Sequence, residues 1–141
     1  MIYLDTSVLG ALFFREPTAP EILARLESAP KTALVISAWT LAEMASAGAI
    51  KERTGQIGAR DRAAGLAAFQ RFVADTLELV EVEPGDFRTA ATLLDLPTTA
   101  LRATDALHLA IAHRLRADMA TLDRRQGIAA NHYGIGLFPV A

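Results

Sequence analysis

Met1-Ile2-Tyr3-Leu4-Asp5-Thr6-Ser7 is an apolar run too short for a helix, closed by an acid and two hydroxyls suited to starting one. It reads as a buried strand that delivers Asp5 at its carboxyl end, with a helix from Ser7 to Phe14 behind it. The same pattern returns in Met119-Ala120-Thr121-Leu122-Asp123, where an apolar run again ends on an acid. Two further acids, Glu43 and Asp105, lie inside Ala/Leu-rich helical patterns, where a carboxylate is costly unless something pairs with it.

Outward from the first strand, Pro17 and Pro20 interrupt the chain, and Pro20 starts a helix through Glu21, Ile22, Leu23 and Leu26. Ala33 to Ile36 is a short apolar run, and Ser37 is the expected N-cap of the helix carrying Trp39, Leu41, Glu43 and Met44. Gly55 and Gly58 break the pattern. Arg60 to Asp75 resumes as an amphipathic helix with Leu66, Phe69, Phe72 and Val73 inward. Leu77 to Val82 alternates apolar and acidic residues as a partly exposed strand does, Asp86 to Leu94 is helical, and Pro97 closes that helix. Arg102 to Arg116 forms a helix with Leu107, Ile111 and Leu115 along one face. A strand at Met119–Leu122, a short helix at Arg124–Asn131 and a final strand at Ile135–Val140 follow. Strands alternating with helices predict an α/β domain with a central, mostly parallel sheet covered by helices. At 141 residues, the chain fits a single domain, 1–141, with a proper core.

Composition narrows the chemistry. Hydrophobic residues make up 52% and charged residues 21%, which excludes a disordered chain. There is no cysteine, so neither a disulfide framework nor a zinc–thiolate site exists. The N-terminus has no basic region before Asp5, and no uncharged stretch approaches the roughly 20 residues that span a bilayer, so the expectation is a soluble cytoplasmic protein. The net charge of −2 does not announce a nucleic-acid binder, although local patches matter more than the sum.

In open α/β sheets, ligands bind outside the carboxyl ends of the strands, and Asp5 and Asp123 both follow the last apolar residue of one. Asp105, early in its helix, and Glu43, about two turns into its own, can project toward the same place. Four carboxylates converging without cations repel one another, and a hard divalent ion such as Mg²⁺ or Mn²⁺ relieves that repulsion. The pattern points to a metal-dependent phosphodiesterase. The plainer readings stay open: Asp5 as an N-cap, Asp105 as a helix-dipole partner, Glu43 facing solvent, and Asp123 paired with Arg124 or Arg125.

Taken in order, Met1-Ile2-Tyr3-Leu4-Asp5-Thr6-Ser7, Ser37-Ala38-Trp39-Thr40-Leu41-Ala42-Glu43, Asp105-Ala106-Leu107-His108-Leu109-Ala110 and Thr121-Leu122-Asp123-Arg124-Arg125 resemble the sequence blocks of PIN-domain proteins. More narrowly, they resemble VapC-type ribonuclease toxins of type II toxin–antitoxin systems. The resemblance implies a three-layer α/β/α sandwich and a Mg²⁺- or Mn²⁺-dependent endoribonuclease. Its acidic quartet falls on Asp5, Glu43, Asp105 and Asp123, in both catalytic and metal-holding roles. It also implies an RNA substrate, a cognate VapB-like antitoxin and a homodimer. Phe13, Phe14 and Trp39 read as core or interface residues rather than base-stacking platforms, since aromatic residues are enriched in interface cores. A PIN-like module that binds RNA or protein without catalysis remains an alternative. So does an Asp-phosphoacceptor signalling domain, although that would want paired acids after the first strand and a late lysine, and no lysine follows Lys51.

Thr6, Ser7 and Thr121 are candidate hydroxyls behind the acids, with capping or strand packing as the other reading. His108, three residues after Asp105, shares its helix face. It reads as a packed or solvated histidine, or as a donor to the acids. His113 and His132 belong to no constellation. Lys51, Arg53, Arg60 and Arg62 concentrate positive charge suited to RNA phosphates, or form a solvated helical face.

Overall fold

The computed structural model describes residues 1–95 and 100–141. Four strands, β1 (Ile2–Leu4), β2 (Leu34–Ser37), β3 (Glu78–Val80) and β4 (Asp118–Ala120), form one sheet in the order β3-β2-β1-β4. Every pairing is parallel, with Tyr3 beside Val35 on one flank and Met119 on the other. Among the described residues, seven helices cover it: α1 (Thr6–Phe13), α2 (Ala19–Ser28), α3 (Ala38–Arg53), α4 (Ala59–Asp75), α5 (Pro84–Leu93), α6 (Ala103–Leu115) and α7 (Arg124–His132). The predicted helix stop at Pro97 lies outside the described residues.

The two-residue side-chain period of each strand divides the core between the two faces of the sheet. Tyr3, Val35 and Met119 point to one face and pack with Leu107, Leu109 and Ile111 of α6, Ala90 and Leu93 of α5 and Ala129 of α7. Ile2, Leu4, Ile36 and Ala120 point to the other and meet Val8, Leu9, Ile22, Met44 and Phe69 from α1 to α4. The result is a helix–sheet–helix sandwich, in the α/β class expected. On the second face, α4 presses against the end of α1 at Gly65, where a Cβ would stand 2.4 Å from the Phe13 carbonyl oxygen. Phe14 is buried there, so of its two readings, core or interface, it takes the core one. Its ring fills the gap that Gly48 and Gly65 leave.

Two elements depart from expectation. Every residue from Ala106 to Ala112 is buried, where the sequence predicts one apolar face, because α6 is enclosed by α5, α7 and β4. The final strand at Ile135–Val140 does not form. The segment makes a single parallel bridge, Met119 to Leu137, through Met119 N to Gly136 O and Phe138 N to Met119 O. Pro139 has no N–H with which to continue the ladder.

No helix among the described residues is long and apolar enough to cross a membrane.

The strand order fixes where a ligand has room. From β1 the chain moves to β2 and β3 on one side, then crosses back to β4 on the other, so the connections diverge between β1 and β4. The crevice of a parallel α/β sheet opens at such a point, beyond the carboxyl ends of the strands. Asp5 leaves β1 there, its N–H bonded to Ala120 O at 3.0 Å, and Asp123 follows β4.

Candidate functional site

Each of the four acids is held by one oxygen. Asp5 is the N-cap of α1, and its Oδ2 accepts from Ser7 N (3.0 Å), Ser7 Oγ (2.5 Å) and Thr121 Oγ1 (3.4 Å). Asp123 is the N-cap of α7, and its Oδ1 accepts from Arg125 N (2.8 Å) and Gln126 N (3.3 Å). Asp105, in the first turn of α6, accepts from Arg102 N through Oδ2 (3.4 Å). Glu43 Oε1 accepts from Thr6 Oγ1 (2.9 Å) and contacts His108 Nε2. Among the described residues, Asp5 Oδ1, Asp123 Oδ2, Asp105 Oδ1 and Glu43 Oε2 take no hydrogen bond. Gln126 Oε1 is the one buried side-chain polar atom without a partner there, so the four spare carboxylate oxygens all reach solvent.

A string of contacts joins the acids across four elements. Thr121 Oγ1 donates to Asp5 and accepts from Asp123 N at 3.0 Å, while Ser7 Oγ accepts from Leu122 N, which stitches β1's end to β4's. Gln126 Nε2 donates to the Asp105 carbonyl, which ties α7 to α6. Thr6, Ser7 and Thr121 therefore all touch the carboxylates. Partial burial, then the charges of Asp123 and Asp5, push the Asp105 carboxyl above its ordinary range against the opposing bond from Arg102 N. No arginine or lysine of the described residues forms an ion pair with any of the four.

His108 is 1% exposed and lies between two of the acids, with Nε2 on Glu43 Oε1 and 3.9 Å from Asp5 Oδ1. Its Nδ1 is 2.7 Å from the Tyr3 hydroxyl, which donates to Ser37 Oγ at 2.9 Å. The Tyr3 hydroxyl and the Glu43 carboxylate engage both ring nitrogens, which can both donate only in the charged imidazolium. Burial opposes that charge, but the bond to Glu43 and the charges of Asp5, Glu43 and Asp105 outweigh it and raise the His108 pKa. Burial, with some addition from Asp5 and Glu43, likewise keeps Tyr3 neutral far above its ordinary range.

The histidine is thus both packed and a donor, two roles the sequence set against each other. Its partner Tyr3 lies in a buried strand, where a phenol must find a polar partner. Ser37 does sit at the N-cap of α3, but its side chain makes no capping bond because it serves Tyr3 instead.

Half of the basic segment is engaged elsewhere. Lys51 Nζ pairs with Glu16 (2.8 Å) and Arg62 Nε with Glu52 (3.0 Å), while Arg53 and Arg60 are exposed without an ion pair among the described residues.

Four oxygen donors at one sheet edge match a hard divalent ion in chemistry. As the side chains stand, no three His, Asp or Glu groups of the described residues are gathered tightly enough to enclose one. An imidazole N–H occupies the space between Asp5 and Glu43.

The PIN-domain family matches residues 2–131. No curated protein matches the chain in sequence. Among solved structures, FitAcB from Neisseria gonorrhoeae is similar at a TM-score of 0.70 and 19% identity, over 99% of this chain and 98% of that one. VapC20 from Mycobacterium tuberculosis, a sarcin-ricin loop cleaving toxin, is similar at 0.68 and 21%, over 92% and 95%. A toxin–antitoxin complex from Klebsiella pneumoniae is similar at 0.59 and 20%, over 87% of each chain. At these identities the likenesses establish the fold. Matched over nearly its whole length, the chain belongs to the PIN-domain family.

Proposed function

We propose that this protein is a Mg²⁺- or Mn²⁺-dependent endoribonuclease and the toxin of a toxin–antitoxin pair, with Asp5, Glu43, Asp105 and Asp123 as its metal-holding and catalytic residues. The observation that carries the reading is the half-held state of the four carboxylates. Each is fixed through one oxygen, and each leaves the other open to solvent at the strand ends. Four acids near one another, with no arginine or lysine of the described residues paired to them, leave a negative charge that a hard divalent ion on the open oxygens would neutralise. A bound divalent ion supplies charge that polarises a phosphodiester and activates water. Ser7, Thr6 and Thr121 fix the carboxylates behind it, and the cap bonds to α1 and α7 hold Asp5 and Asp123 in place. Membership of the PIN-domain family, and a similar fold in a sarcin-ricin loop cleaving toxin and in a toxin–antitoxin complex, support an RNA substrate and a VapB-like antitoxin.

The same reading places the protein in the cytoplasm as a homodimer. Trp39 and Phe87 are exposed on either side of an apolar groove formed with Ala90, Leu94 and Leu107, which is a fitting surface for assembly. Arg53 and Arg60 are the two cations of the basic segment free to meet RNA phosphates; Lys51 and Arg62 would first have to leave Glu16 and Glu52.

The test is cleavage of structured RNA by purified, antitoxin-free protein with Mg²⁺ or Mn²⁺. Activity that persists undiminished in excess chelator rules out the metal mechanism. Metal-independent RNA binding with no cleavage would favour a binding module.

A further inference from the structure

We propose that His108 is a positioning residue for Glu43, aimed by Tyr3 and Ser37 so that Oε1 is held and Oε2 is presented to the metal; this rests on the metal-site reading above. The geometry has three parts. First, α6 carries Asp105 and His108 one turn apart, so one helix face supplies both an acid and the group that orients another acid. Second, the ring cannot turn freely. Nδ1 is fixed to Tyr3 at 2.7 Å, Tyr3 to Ser37 at 2.9 Å, and all three side chains are buried. Third, Thr6 and His108 converge on the same oxygen of Glu43 from opposite elements, α1 and α6. Without His108 the carboxylate hangs from a single hydroxyl on a side chain with three rotatable bonds, and the other oxygen loses its fixed direction.

The relay Ser37–Tyr3–His108–Glu43 therefore starts at the carboxyl end of β2, dips to Tyr3 in the middle of β1 and returns to the carboxyl edge at Glu43, so that it joins β2, β1, α6 and α3. It is the arrangement by which metalloproteins orient ligands through buried partners, whose removal typically weakens metal binding or activity by about 10- to 100-fold.

The experiment is calorimetric titration of antitoxin-free protein with Mn²⁺, alongside thermal melting without metal and RNA-cleavage kinetics. His108→Leu fills the space but removes the donor; it is expected to weaken Mn²⁺ binding about tenfold or more and to lower kcat with KM for RNA unchanged. His108→Gln returns an N–H near Glu43 and should recover binding to within about threefold of the parent. If His108→Leu does not fold, Tyr3→Phe is the deciding variant: it deletes only the hydroxyl that aims the ring and should weaken Mn²⁺ binding several-fold. A folded His108→Leu or Tyr3→Phe protein that binds Mn²⁺ as tightly as the parent overturns the proposal and leaves the metal site standing. Failure of the parent itself to bind any divalent ion overturns the metal site, and the proposal with it.

Discussion

Helix α6 handles charge at its two ends in opposite ways. At the C-terminal end, Arg114 grips Asp86 with two parallel bonds, Nε to Oδ1 at 2.8 Å and Nη2 to Oδ2 at 2.9 Å, and Nη2 also donates to the Glu81 carbonyl. Asp86 accepts from Glu83 N as well, so both oxygens of this 2% exposed carboxylate are taken. Burial tends to raise its pKa, but the Arg114 and Glu83 bonds prevail and hold it below the ordinary carboxylate range. At the N-terminal end Asp105 has one weak backbone bond, two acidic neighbours and a raised pKa. One end closes its charges on themselves, and the other leaves them open. A buried carboxylate saturated by a guanidinium has nothing left to offer a ligand; a cluster half-held by hydroxyls and backbone amides has.

The largest effect that separates the two ends is catalytic. Asp105→Asn should reduce RNA cleavage by about a hundredfold or more, since it removes one of the few charges available to hold the ion. It should not lower the melting temperature, because it relieves repulsion from Asp123 and Asp5. Asp123→Asn should behave alike, and because Asn caps helices as well as Asp does, α7 keeps its cap. A loss of fold in step with the loss of cleavage would show that the N-terminal cluster is structural after all.

Arg114→Met is the converse. It strands Asp86 and should cost about 3 kcal/mol of stability, read by denaturant unfolding, while the folded protein cleaves RNA at the parent rate. The pH dependence has a definite sign. Asp86 has a lowered folded pKa, so its contribution is complete above the unfolded carboxylate value of 3.8 and is lost as pH falls through the folded one. The stability gap between parent and Arg114→Met should therefore be widest near neutral pH and shrink below about pH 4. A gap that does not change with pH would remove the ion pair as its cause.

A packing defect remote from both ends sets the scale between these and surface changes. Gly65→Ala drives a methyl into the Phe13 carbonyl and should cost about 2 kcal/mol, with cleavage per folded molecule unaltered. The smallest effects belong to the exposed cations. Arg53→Gln and Arg60→Gln should each alter stability by less than about 0.5 kcal/mol. If they meet phosphate, each lowers the salt slope of RNA binding by about one.

The contrast also explains what the sequence could reveal. The strand end at Asp5 was legible because apolar runs and caps are local signals, and the parallel sheet followed from the alternation of strands with helices; the strand expected at Met119–Leu122 closes at Ala120, so Asp123 stands three residues past it as the cap of α7. The false final strand came from reading Ile135–Val140 by hydrophobicity alone and passing over Pro139. Tyr3–His108–Glu43 was hidden because its members lie 105 and 65 residues apart, and only the packing of α6 beneath β1 brings them together. The Asp86–Arg114 pair was equally invisible: nothing in Asp86's own neighbourhood names an arginine 28 residues on. Lys51 and Arg62 looked available for the same reason, since Glu16 and Glu52 meet them through folding and through the α3–α4 turn respectively.

The most direct test of the half-held carboxylate cluster is calorimetric titration of the antitoxin-free protein with Mn²⁺, comparing the parent with Asp5→Asn and with Arg114→Met. Saturable binding in the parent, abolished or strongly weakened by Asp5→Asn and untouched by Arg114→Met, is the result expected from the difference between the two ends of α6. Binding that survives Asp5→Asn unchanged, or that Arg114→Met removes from folded protein, would contradict it.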